Sequence, residues 1–85
     1  MSDEIRRRRE SRRRVLEMLY ACSEDEGESE FRDGYEMAAE LGLSRQEAER
    51  IVRYLEDHGW VRRSGNHGLT VRITAQGIDH LEGGG

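Results

Sequence analysis

The chemistry available to this sequence is concentrated in residues 44–59, Ser-Arg-Gln-Glu-Ala-Glu-Arg-Ile-Val-Arg-Tyr-Leu-Glu-Asp-His-Gly. Ala48, Ile51, Val52 and Leu55 recur at helical spacing and make one apolar stripe. Arg45, Gln46, Glu49, Arg50 and Arg53 fall away from that stripe. Guanidinium and carboxamide groups on the open side of an anchored helix can donate to phosphates and to base edges in a DNA groove. Both ends of the helix are marked. Ser44 and Glu47 stand at capping-box spacing, and Gly59 follows the last turn, where a left-handed residue is favoured.

Other reactive side chains are not spaced for catalysis or metal binding. His58, His67 and His80 are scattered over a helix end, a turn and a second helix, and the single cysteine, Cys22, leaves no ligand set of structural-metal type. Cys22 sits beside Leu19, Tyr20 and Ala21, which predicts a small buried thiol. No glycine-rich phosphate loop follows a strand, and no nucleophile is spaced with a base. The expectation is a protein that is not an enzyme, with no metal and no cofactor.

The elements that must position the arginine-bearing helix follow from periodicity. Eighty-five residues suit one small domain with a modest core. From Ile5 to Cys22 good helix formers run unbroken, with Val15, Leu16, Leu19 and Cys22 as the apolar stripe. Tracing the stripe back meets Arg12 and Arg8 or Arg9 before Ile5, so residues 1–12 read as a solvated, arginine-rich extension of that helix. Glu10 is spaced to pair with Arg6 and Arg14, and Arg13 with Glu17. Residues 23–30 are acidic without an apolar side chain and read as a mobile loop. Phe31 is expected to tuck inward from a short extended segment, and Asp33-Gly34 is a turn signal. A short helix over 35–41 turns Met37, Ala38 and Leu41 inward, and Gly42 ends it. The turn into the capped helix makes a helix-turn-helix. After Gly59 the period becomes two: strand 60–63, a turn over 64–68, and strand 69–74 with Leu69, Val71 and Ile73 on one face. Thr74 is placed to cap a last helix over 75–82 that buries Ile78 and Leu81. Residues 83–85 read as a flexible tail.

Charge is distributed unevenly. All fourteen basic residues are arginine, and the net charge is −4. Residues 1–22 carry net +3, residues 23–41 net −7 and residues 42–85 net zero, so the acid is held mostly in one segment. A local face decides nucleic-acid binding more than the total does. No apolar run approaches the 18 residues of a membrane span, and no apolar signal-peptide region follows the N-terminal arginines. A cytoplasmic location is the expectation.

Three runs carry a resemblance: Met37-Ala38-Ala39-Glu40-Leu41-Gly42-Leu43-Ser44, Val52-Arg53-Tyr54-Leu55-Glu56-Asp57-His58-Gly59-Trp60-Val61, and residues 69–81 with their T-x-x-G-x-x-x-L ending. In this order the chain resembles the winged helix-turn-helix regulators of the MarR, ArsR and PadR-like groups over residues 13–82. The resemblance implies a mainly α fold with a small β-hairpin (α+β), with a three-helix core, a two-stranded wing and a short C-terminal helix. It also implies double-stranded DNA as partner, transcriptional regulation as the role, and a homodimer joined through the first and last helices. Carried over by position, Arg45, Gln46, Glu49 and Arg50 would read bases, and Arg53 would sit at the groove edge. Ser44 and the first-turn amides would meet a phosphate. Arg62, Arg63, Asn66, His67 and Arg72 would act from the wing. Arg6, Arg7, Arg8 and Arg9 would grip phosphates from the first helix. The chain departs from the pattern in Glu49 and in its acidic segment. Both suit an alternative, a winged-helix module that binds a protein partner and not DNA.

Overall fold

A computed structural model describes residues 3–26, 31–65 and 68–83. Four helices and three strands follow one another: α1 (Asp3–Glu26), β1 (Arg32–Asp33), α2 (Gly34–Glu40), α3 (Arg45–Asp57), β2 (Val61–Arg63), β3 (Thr70–Ile73) and α4 (Ala75–Gly83). The architecture is mainly helical with a small antiparallel sheet, an α+β fold.

The core forms where the predicted stripes meet. Val15, Leu16 and Leu19 of α1, Met37 and Ala38 of α2, and Ala48, Ile51, Val52 and Leu55 of α3 are buried together with Val61, Leu69, Val71 and Ile73. Leu55 and Val71 are wholly enclosed. Leu41, Leu43, Ile78 and Leu81 are half-buried at the margin of the core and do not enter it. Ile5 is 51% exposed, so the first turns of α1 carry no core residue. Arg13–Glu17 forms as the spacing predicts, at 3.0 Å, and Arg8–Glu4 closes at the same distance. Among the described residues Glu10 makes neither of its expected pairs.

Several expectations are corrected. Helix α1 runs through residues 23–26, which the acidic composition assigned to a loop. Glutamate is a good helix former, and its charge does not prevent one more turn on an established helix. The rest of that segment, residues 27–30, lies outside the described residues. Gly83 belongs to α4, not to a tail. The sheet has three strands, not two. Arg32 and Asp33 pair antiparallel with Val71 and Thr70, so β3 runs between β1 and β2. Asp33-Gly34 is accordingly no free turn. Asp33 ends the strand and caps α2, its Oδ1 accepting from the Tyr35 amide at 2.9 Å, while the Gly34 amide donates to the Leu69 carbonyl.

This pairing also reverses the expectation for Phe31. Arg32 lies opposite the buried Val71 and shares its face, so its neighbour Phe31 points to the outer face and is 46% exposed. Arg32 runs inward instead, donating to Cys22 Sγ at 3.4 Å and to Glu40 at 3.3 Å. Cys22 is therefore a half-buried hydrogen-bond acceptor rather than an enclosed thiol.

Two glycines hold the C-terminal elements in place. Gly59 takes φ +76° directly after α3, the left-handed geometry that ends the helix and turns the chain into β2. Gly77 gives the T-x-x-G spacing its meaning. Thr74 Oγ1 accepts from the Gly77 amide at 3.1 Å and donates to the Gly59 carbonyl at 2.6 Å. A side chain at Gly77 would collide with the Trp60 carbonyl oxygen and with Ile73.

Two substitutions test this packing. Leu55→Ala should cost about 2–5 kcal/mol as a buried deletion, which a denaturant titration reads directly. Gly77→Ala should destabilise by about 1–3 kcal/mol through overpacking, although alanine is the better helix former by about 1 kcal/mol. Gly83→Ala, in open space, should show no such loss. Equal effects at the two glycines would refute the close approach of α4 to Trp60.

Candidate nucleic-acid interface

The capping box is formed in full. Ser44 Oγ accepts from the Glu47 amide at 3.1 Å, and the Ser44 amide donates to Glu47 Oε1 at 2.9 Å. That second bond is the main reason the Glu47 carboxyl sits below the usual carboxylate range. Ser44 is thus committed to the helix start. Its side chain is exposed, but its hydroxyl oxygen is already an acceptor.

Burial of the apolar stripe sets how α3 is rotated, and so which side chains reach solvent. Gln46, Arg50 and Arg53 form the outward ridge, and all three are exposed. Arg50 and Arg53 make no ion pair among the described residues. Arg45 and Glu49 lie on one flank and are also exposed, but α2 holds both. Tyr35 donates from its hydroxyl to Glu49 Oε2 at 2.7 Å, and the Arg45 guanidinium lies over the Tyr35 ring at 4.0 Å. The hydrogen bond to the Glu49 carboxylate, more than burial or charge, raises the Tyr35 phenol above its ordinary pKa of 10.0. Glu49 therefore has a local partner, which local spacing did not indicate.

The opposite flank of α3 carries Glu47 and Tyr54 and faces α1. The Arg12 guanidinium rests 3.9 Å from the centre of the Tyr54 ring. From Tyr54 a column of rings continues. Tyr54 meets His58 at 4.5 Å, His58 stacks on Trp60 at 4.4 Å, and His80 covers the other face of Trp60 at 3.8 Å. Two of the three histidines are thereby engaged in packing. Among the described residues no group of three His, Cys, Asp or Glu side chains is placed to hold a metal ion.

The sheet divides the remaining candidates. Arg62 and Arg72 lie directly opposite each other on β2 and β3, on the face away from Val71 and Ile73. Like charges so placed repel, and an anion between them relieves the repulsion. Arg72 also lies 5.6 Å from the exposed Phe31 ring. Arg63 points the other way, into a half-buried ion pair with Glu56 of α3 at 2.9 Å, with its Nε buried and without a hydrogen bond. It fastens the hairpin to α3. Asn66 and His67, expected at the wing tip, lie outside the described residues. Arg6, Arg7, Arg8 and Arg9 are exposed along α1, with Arg8 paired to Glu4.

Three participants were missed by sequence reasoning: Tyr35, Tyr54 and Arg12. Tyr35 and Glu49 are 14 residues apart in separate helices, and no local spacing joins them. Arg12 had a signal, since it continues the apolar stripe of α1 and so must face the rest of the molecule. No protein-family model, curated protein or solved structure matches this chain. Among the described residues no helix is long and apolar enough to cross a membrane.

The Tyr35–Glu49 bond makes a pH prediction. A raised phenol pKa favours the neutral folded form, so its contribution is complete below the unfolded pKa near 10 and lost as pH climbs through the folded value. Glu49→Gln should return the Tyr35 titration, followed by NMR of its ring, toward the usual tyrosine range. An unchanged titration would show that the carboxylate is not its partner.

Proposed function

We propose that this chain is a winged helix-turn-helix protein that binds double-stranded DNA and regulates transcription as a homodimer. Helix α3 is the element that enters the major groove, and the β2–β3 hairpin is the wing. The observation that carries this reading is the ridge Gln46–Arg50–Arg53, which is exposed and free of ion pairs among the described residues while the opposite stripe of the same helix is buried. A ridge of this kind projects donors from a rigid rod, as major-groove readout requires. The opposed Arg62 and Arg72 add a second cationic point on the hairpin.

Within this reading the roles expected from position are redistributed. Arg50 and Gln46 are the base-reading candidates, and Arg53 stands at the groove edge. Arg45 and Glu49 act as a unit set by Tyr35. Glu49 spends one acceptor site on the phenol, and Arg45 holds its guanidinium over the ring. Arg63 is structural, because its guanidinium joins Glu56. The wing contacts reduce to Arg62 and Arg72, with Asn66 and His67 between them in sequence. A dimer lets two copies of α3 meet half-sites about one helical turn apart.

The alternative is a winged-helix module that binds a protein. It is favoured by the same Tyr35 contact, which uses a flank of α3 internally, and by the net charge of −4.

Charge reversal separates the two. Random-sequence duplex should bind the native chain in the range of about 10⁻⁴ to 10⁻⁶ M typical of nonspecific contact at physiological salt, and more tightly at low salt. Arg50→Glu and Arg53→Glu should abolish that binding, because both residues are exposed and outside the core. No binding by the native chain, or binding indifferent to both reversals, would refute the assignment of α3 to the groove.

A further inference from the structure

We propose that the cleft between the first half of α1 and the flank of α3, bounded by Arg7, Arg12, Arg50 and Tyr54, is a phosphate-binding site. The inference rests on the DNA-binding reading only for the source of that phosphate. The group itself is the same on a duplex backbone and on a free nucleotide.

The cleft is built from distant parts of the chain. Arg7, Arg8, Ser11 and Arg12 line one wall from α1, and Glu47, Arg50, Ile51 and Tyr54 line the other from α3. Its volume is about 90 Å³. One water needs about 10–15 Å³ on the same measure, so the space accepts a group several waters in size. The floor is firm, because Ile51 belongs to the buried stripe.

Charge in the cleft is unbalanced. Four guanidinium groups line it against one carboxylate, that of Glu47. Glu47 already accepts the Ser44 amide, so part of its acceptor capacity is taken. Arg8 has a partner in Glu4, but that pair is widely exposed and weak. Counting both carboxylates, the four arginines leave net +2. Arg50 and Arg7 also help to hold the Glu47 carboxyl below its usual range, after its hydrogen bonds with Ser44. Arg12 is held at its ring, 3.9 Å from the Tyr54 centroid. A ring face orients a guanidinium without neutralising it, so its donors stay available in a fixed plane. Converging, partly oriented guanidiniums with little counter-charge are suited to the tetrahedral oxygens of phosphate.

The site also explains a feature of the first helix. The arginines of its opening turns bury no core residue beside them, yet Arg7 and Arg12 are brought against α3. A merely solvating extension has no reason to converge with Arg50.

The test uses the full chain at low salt, with three probes: inorganic phosphate, adenosine monophosphate and a random-sequence duplex. Binding is followed by NMR at the arginine Nε–H groups and the Tyr54 ring. Arg7→Ala and Arg12→Ala are compared with Arg13→Ala, which removes the same charge from α1 outside the cleft, and melting curves check that each variant folds. At least one probe should move the Arg7, Arg50 and Tyr54 signals. Arg7→Ala and Arg12→Ala should each weaken that probe about tenfold, the worth of one charge-assisted hydrogen bond. Arg13→Ala should stay within about twofold. A response to the duplex alone assigns the cleft to backbone phosphate, and the slope of log K against log salt should then fall by about one in Arg7→Ala. A response to phosphate or the mononucleotide assigns it to a free ligand. The proposal is overturned if no probe moves these signals, or if Arg13→Ala costs as much as Arg7→Ala. Duplex binding indifferent to Arg7 and Arg12 removes the cleft and leaves the DNA reading intact. Phosphate binding in the cleft without any duplex binding does the reverse.

Discussion

Burial of Ala48, Ile51, Val52 and Leu55 determines the rotation of α3 about its own axis, and the other features of the candidate surface depend on that rotation. Once those four side chains face the core, the helix has one direction left for Gln46, Arg50 and Arg53, and two flanks that must meet whatever packs beside them. Tyr35 from α2 occupies one flank and Arg12 from α1 reaches the other. The ridge is therefore narrow. It is bounded on each side by an aromatic ring carrying a guanidinium, so cationic character extends from the ridge onto both flanks.

This arrangement bears on how a chain of net charge −4 presents positive charge at all. Some arginines are spent internally. Arg32 reaches Cys22 and Glu40, Arg63 reaches Glu56, and Arg13 reaches Glu17. What remains is grouped on α3, along the opening turns of α1 and on the outer face of the sheet, while the strongly acidic sequence lies at the far end of α1 and beyond it. At physiological salt, charges more than about 8 Å apart are largely screened. A face with its own local excess can then act differently from the molecule as a whole.

Local signals gave good access to the secondary structure. The cap at Ser44, the helix stop at Gly59, the alternation over Leu69, Val71 and Ile73, and the Thr74 cap of α4 are each written within a few residues, and α3, β3 and α4 each lie within a residue of their expected bounds, whereas α1 runs on past its expected end at Cys22 to Glu26. Two local inferences failed because a distant partner decided the outcome. Asp33-Gly34 has the composition of a turn, yet pairing with Thr70 drew Asp33 into the sheet and Gly34 opens α2. Phe31 has the character of a core residue, yet the register of that same pairing turned it outward. A two-residue strand has too little length to declare its period, and only its neighbour can supply it.

By itself the sequence determined where α3 starts and stops and which of its faces is apolar, since capping and periodicity act over one to a few turns. Only the tertiary structure decided that Arg45 and Glu49 belong to Tyr35, that Arg63 is an anchor, and that Arg7, Arg12 and Arg50 share a cleft. Those contacts join residues far apart in the chain. Their geometry follows from how whole helices pack, which no local spacing of residue types encodes.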